Sequence, residues 1–370
     1  MTESCLPESV HTASFPPLLR ELGISLAVST YQAGKLIFVR EDGDTLNTHF
    51  RNFCVPMGLA YAGGRLAVGT KSGWSEFHEV PSLADKIEPL GAADVVFAPR
   101  LHYHTGAIAV HEVAFGDGGE LWAVNTRFSC LCTFDRVHSF VPQWRPPFIG
   151  GYSPDDRCHL NGLCLVEGKP KFVTALGTTD RGGAWRERKV DGGILMDVPS
   201  RETVVGGLSM PHSPRFHDGA LWFLESGRGS LSRVDISSGK TEVVALLPGF
   251  TRGLDFRGGY AFIGLSQVRE SNLFSGLPIT QRLTPDERTC GITVVHLGSG
   301  RIVAFLKFTA GVQEIFSVIA LPHLRPDLLE DERDERLEGT YILPDDALRD
   351  VQTPADSVGS PQPIPRVRSE

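Results

Sequence analysis

The stretch His212-Ser-Pro-Arg-Phe216, Gly219, Leu221-Trp-Phe-Leu-Glu-Ser226 decides the fold. It reads as a residue facing inward, an apolar strand, a glycine turn and a second apolar strand ending in a hydroxyl. The phrase recurs as Met57-Gly-Leu-Ala-Tyr61 with Leu66-Ala-Val-Gly-Thr70, and as His111-Glu-Val-Ala-Phe115 with Leu121-Trp-Ala-Val-Asn-Thr126. It recurs again as Arg252-Gly-Leu-Asp-Phe256 with Ala261-Phe-Ile-Gly-Leu-Ser266, and Asn161 to Thr178 is a longer copy. Internal repeats with a period of tens of residues are the mark of a propeller or a solenoid.

Ser25-Leu-Ala-Val-Ser-Thr30 matches the second strand of the phrase and Lys35–Val39 supplies a third, but no opening strand precedes them. Glu314-Ile-Phe-Ser-Val-Ile-Ala320 is an inner strand with no partner after it. Joining the two completes one blade and removes two open sheet edges. The expected fold is therefore all-β, a six-bladed β-propeller over 25–322 whose first and last strands close one blade. The blades span 25–50 with 311–322, then 51–100, 106–150, 157–200, 206–247 and 248–310. Residues 1–24 read as a leader with a short helix near Pro17–Leu22. Residues 323–370, charged from Asp327 to Glu338 and rich in Pro and Ser beyond Pro354, read as a mostly disordered tail.

Composition sets the class. The 40 glycines and 25 prolines suit many short strands joined by tight turns. A net charge of -8 argues against a nucleic-acid partner, which calls for a basic stripe. No apolar run reaches the roughly 18–20 residues of a membrane helix, and Met1 to Leu19 has no signal-peptide pattern. Seven scattered cysteines fit reduced thiols and a cytoplasmic setting.

In a propeller the inner strand of every blade lines the central channel, so equivalent residues share a level. The repeat places Met57, His111, Asn161, His212, Arg252 and Glu314 on one ring. Strand side chains alternate, so His159, two before Asn161, also faces the channel. Loops at the same mouth carry Trp185, Arg186 and Arg269, and the segment from Ser271 to Thr289 is long enough for a lid. Long polar loops on a rigid scaffold are where binding residues concentrate.

Three readings follow. His111, His159 and His212, with His102 or His104 as substitutes, have the ligand types of a divalent metal centre, zinc or iron. Without metal, His111, His212 and Glu314 are acid–base candidates, while Asn161, Arg252, Arg269, Trp185 and Arg186 hold an anionic substrate. Alternatively Arg252 pairs with Glu314 and the histidines line a wet channel. The leading expectation is a metal-dependent lyase, hydrolase or oxygenase acting on a small-molecule or peptide substrate. The other is a non-catalytic propeller that binds a peptide or protein partner on its decorated face.

Ser29-Thr-Tyr-Gln-Ala-Gly-Lys-Leu36, Cys158-His-Leu-Asn-Gly162, Met210-Pro-His-Ser-Pro214, Gly249-Phe-Thr-Arg-Gly253 and Gly264-Leu-Ser-Gln-Val-Arg-Glu270 carry a resemblance. Over residues 15–322 the chain resembles a bacterial family of conserved hypothetical proteins, a domain of unknown function. That resemblance implies no activity. More loosely, channel histidines on six blades are similar to the peptide-amidating lyase, which implies zinc on three histidines. The likeness to the lactonase and strictosidine-synthase propellers is poorer, since only Asn161 and Glu314 match their acidic and amide ligands.

Overall fold

The computed structural model describes residues 7–267 and 275–350. Six sheets follow one another around a central channel. Blade 1 pairs Ser317–Leu321 with Ser25–Thr30, Lys35–Asp42 and Thr45–Asn52. The later blades open on inner strands Pro56–Ala62, Val110–Phe115, Leu160–Val166, Pro211–His217 and Phe250–Arg257. Closure of blade 1 by both parts of the chain is as the sequence predicts, through five antiparallel pairs from Ser25↔Leu321 to Ser29↔Ser317. Alternating apolar residues from facing sheets form the core between blades, as in the cluster of Leu26, Val28, Ile37, Phe262, Ile292 and Val318.

The terminal hydroxyl of the repeated phrase has a physical reason. Ser29 Oγ donates to the Met57 carbonyl of the next blade (2.5 Å), Thr126 Oγ1 to Leu160 O (2.6 Å), and Ser226 Oγ to Thr251 O (2.5 Å). Ser266 Oγ donates to Ile315 O, at 3.1 Å, which ties blade 6 to blade 1. Between blades 4 and 5 the latch is Asn161 Nδ2 donating to Pro211 O (3.0 Å), with Asn161 Oδ1 held by Thr174 Oγ1. Blades 2 and 3 meet through glycine instead: a Cβ on Gly58 would stand 2.8 Å from Glu112 Cα. Each latch gives a buried carbonyl its hydrogen bond and fixes the blade spacing.

Just past each latch, five of the inner strands carry one extra residue against their partner. The register shifts lie between Pro56/Leu59, Ala123/Asn125, Leu160/Gly162, His212/Arg215 and Thr251/Leu254. Such bulges re-aim side chains and are frequent beside functional sites. Blade 1 has none.

Two expectations about the chain ends are corrected. The leader is part of the fold: Glu8–His11 adds a fifth strand to blade 6, and the helix Phe15–Leu22 buries Phe15 and Leu19 in the core. The expected tail is ordered at its start, where Pro326–Leu328 pairs in parallel with Val95–Phe97 of blade 2. Leu328 and Leu329 are buried there, and Asp327 takes ion pairs from Arg51 and His49. Charge density hides these two apolar anchors in the sequence. Residues 351–370 lie outside the described residues. No helix of the described residues is long and apolar enough to cross a membrane.

Candidate functional site

Where the inner strands begin, they surround a pocket of about 220 Å3. Met57, His111, His212, Arg252 and Phe316 line it from the strands, and His159, Trp185 and Arg186 line it from the loops of blade 4. Four of the expected ring residues are thus together. His159 is brought in by its backbone turn (φ 51°), a left-handed conformation that Val55, Ala109 and Met210 repeat two residues before their ring positions. Alternation along a strand is not what orients it.

The three imidazoles are alike in one respect: Nδ1 is engaged and Nε2 is not. His159 Nδ1 donates to Asp156 Oδ2 at 2.8 Å, and Trp185 Nε1 donates to the same oxygen at 3.2 Å. His212 Nδ1 lies 2.8 Å from Ser226 Oγ and 3.0 Å from Met210 O. The single Ser226 proton already goes to Thr251 O, so Nδ1 of His212 must be the donor. His111 Nδ1 faces the Ala109 carbonyl at 3.3 Å and donates likewise. In their neutral forms His111 and His212 therefore present a lone pair at Nε2. Burial, then the neighbouring His159 and Arg252, pushes the His111 pKa well below its ordinary value. Burial and then Arg252 do the same to His212. Both are neutral at pH 7. Asp156 stays ionised: burial opposes its charge, but His159, Trp185 and Arg186 together hold its pKa below the ordinary value.

Arg252 forms the floor. Its Cζ stands 3.5 Å over the Phe316 ring centroid, and no carboxylate among the described residues is within 4.0 Å of its nitrogens. Burial lowers its pKa, and the charges of Glu314 and Tyr31 oppose that from a distance. Trp185 is buried and packs on His159 with ring centroids 4.4 Å apart and planes tilted by 38°. Arg186 covers it from the rim, 4.2 Å above the indole.

Glu314 is corrected by two residues. The Ser266 latch lands on Ile315, so Phe316 takes the ring position that Leu160-Asn161 and Thr251-Arg252 define in their blades. Glu314 turns behind the pocket wall, where Oε2 accepts from Thr30 Oγ1 and the Tyr31 amide at 3.3 and 3.1 Å. Its Oε1 is buried with no partner, and burial raises its pKa to about 7. Tyr31, which does line the pocket, has its phenol pKa raised by burial and then by Glu314.

Asn161 is turned to the blade latch, which engages both ends of its amide, and is not among the residues that line the pocket. His102 and His104 are on the exposed outer strand Val95–His104 of blade 2, away from the channel. Arg269 lies outside the described residues. Of the expected lid, Leu277 and Ile279 are buried and Arg282 donates to Leu247 O, so that part packs as wall. As to metal, His111 and His159 meet edge to face with centroids 5.0 Å apart. Among the described residues no group of three or more His, Cys, Asp or Glu side chains is arranged to hold an ion. The residue that sequence reasoning missed is Asp156, although its spacing three before His159 is legible in Asp156-Arg-Cys-His159.

The comparisons with known proteins bear on the fold. No curated protein matches the chain. A solved chain from the crystal structure of a nidogen/laminin complex is similar over 81% of this chain and 99% of its own, at 8% identity and a TM-score of 0.50. A protein of unknown function from Bacteroides caccae covers 80% of this chain and 98% of its own, at 11% identity and a TM-score of 0.49. The first likeness is one of fold alone, and it agrees with six sheets around one axis. A family model matches residues 13–329, nearly all of the propeller with its helix and its parallel clasp, and the chain belongs to that family, a domain of unknown function, DUF4915.

Proposed function

We propose that the chain is an enzyme whose His-lined mouth binds a small or peptide-borne organic anion and moves a proton within it. The observation that carries this reading is Arg252, a half-buried guanidinium set over Phe316 with no carboxylate within 4.0 Å among the described residues. A cation partly withdrawn from water gains from a counter-charge, and a planar fork of donors matches a carboxylate or phosphate. Met57, Leu176, Trp185, Met210 and Phe250 supply apolar walls for the rest of the molecule. His159, oriented by Asp156 through Nδ1, takes the proton at Nε2, and the carboxylate stabilises the resulting imidazolium. His111 and His212 stay neutral beside it and accept hydrogen bonds from the substrate. The Tyr31 phenol stays protonated and is the donor on the opposite wall. The free cysteines, of which Cys130, Cys132, Cys158, Cys164 and Cys290 are buried, support a reducing, cytoplasmic setting.

Three model anions test the reading. Calorimetric titration with benzoate, phenyl phosphate and phenylpyruvate should show saturable binding of at least one of them, weakened at least tenfold by Arg252→Gln. Exchange of C–H protons of the bound 2-oxo acid in deuterated water, followed by NMR, should be lost in His159→Gln with binding kept. Absence of anion binding, or binding indifferent to Arg252→Gln, overturns the reading. Binding without any exchange removes the enzyme and leaves a ligand-binding propeller. One equivalent of zinc or iron in protein purified without chelator would replace proton transfer by a metal centre.

A further inference from the structure

At the opposite end of the channel the inner strands build a second cavity of about 270 Å3, and all six blades contribute to it. Ala60, Ala114, Cys164, Arg215 and Asp255 lie three residues beyond Met57, His111, Asn161, His212 and Arg252. Alternation alone would bring a side chain back to the channel after two residues, and the bulge in each of these strands adds the third. They form a lower ring. Three of its members are small, which leaves the space open, and two are charged.

The two charges do not satisfy each other. Arg215 Nη2 donates to Glu112 Oε1 at 3.0 Å, across the channel from blade 5 to blade 3, and Nη1 donates to Pro214 O and Leu163 O. Asp255 has only backbone donors, the Phe256 amide at 2.9 Å and the Ala320 amide at 2.7 Å. Among the described residues no Lys, Arg or His nitrogen is within 4.0 Å of it. With Arg215 matched by Glu112, the cavity is left with one net negative charge at Asp255. Its pKa is raised, because burial outweighs the Ala320 amide and the more distant charge of Arg215, which lower it. Tyr61, Phe115 and Phe216 wall the cavity, and Phe216 stays 41% exposed at the rim.

We propose that this lower mouth binds a small organic cation, a primary or methylated ammonium on an apolar body, with its charge on Asp255 and its body against Tyr61, Phe115 and Phe216. A carboxylate withdrawn from water without an ion pair gains most from a partner of opposite charge, and the aromatic faces add attraction for the same cation, as one face of Phe115 already does for Arg65 at 4.3 Å. The site is separate from the His-lined mouth and does not depend on the function assigned there.

Phenethylammonium is the probe. Calorimetry on the full chain should show saturable binding that weakens at least tenfold in Asp255→Asn and is unchanged in Arg252→Gln. Ala114→Leu fills the cavity and leaves every charge in place, so it should abolish binding even if Asp255→Asn fails to fold. 3-Phenylpropionate, the same body with the opposite charge, should not compete. Absence of saturable binding, binding unaffected by Ala114→Leu, or competition by 3-phenylpropionate would overturn the proposal.

Discussion

The two mouths of the channel share six strands and one scaffold, yet they carry opposite charge. The upper one has Arg252 and neutral imidazoles; the lower one has Asp255 and an arginine already matched by Glu112. The difference comes from where each strand bulges. One extra residue in five of the six strands sets two side-chain levels three residues apart, and the residue type on each blade then writes the charge at each level independently. The Glu112–Arg215 pair crosses the channel and neutralises the arginine of the lower level.

The comparison is broken most severely at that pair. Glu112→Ala leaves Arg215 buried without its carboxylate, and the expected loss is about 3–5 kcal/mol of stability, read by urea unfolding. An unfolding midpoint equal to wild type would mean the pair does not neutralise Arg215. Next comes Glu314. Its pKa of about 7 lies above the usual 4.5, so the folded state holds the proton more tightly than the unfolded chain. Stability from this group is full below about pH 4.5 and is lost as pH rises through 7. Glu314→Gln cannot ionise, so its stability relative to wild type should rise between pH 5 and pH 8, by up to about 3 kcal/mol. Thermal melts at a series of pH values check this, and a difference that shrinks with pH contradicts it. The smallest effect is at the latch: Ser226→Ala removes two buried hydrogen bonds of one hydroxyl, to Thr251 O and from His212 Nδ1, at about 1 kcal/mol each. It also leaves His212 Nδ1 with the Met210 carbonyl as its one partner among the described residues, so anion binding at the upper mouth should change while phenethylammonium binding does not.

Much of the fold is legible because its repeat is written in small residues and hydroxyls with a fixed task. Ser29, Thr126, Ser226 and Ser266 bind the next blade, so they recur, and the sequence can be aligned on them. His111, His212 and Arg252 follow directly. The error at Glu314 arises in the blade whose inner strand has no bulge and whose latch falls on Ile315 rather than beside the acidic residue. Asn161 reads as a ligand-facing amide because a polar ring residue looks the same whether it serves a substrate or a backbone carbonyl. Asp156 sits in a loop, outside any period. The lower ring escapes the sequence because two-residue alternation steps over Arg215 and Asp255. Leu328 and Leu329 are concealed by the charges around them.

The chain ends also govern how the molecule resists being pulled apart. The strand that closes blade 1, Ser317–Leu321, is followed by the three-residue parallel clasp Pro326–Leu328 on blade 2. Force applied from the C-terminal side meets this clasp before it meets the ring. The clasp is a mechanical fuse of three residue pairs, reinforced by Asp327 on Arg51 and His49. An unfoldase that starts from that side parts the ties of Arg336, Glu338 and Thr340 to Lys86 and Arg100, then the clasp, and only then reaches the strand whose removal opens the whole circle.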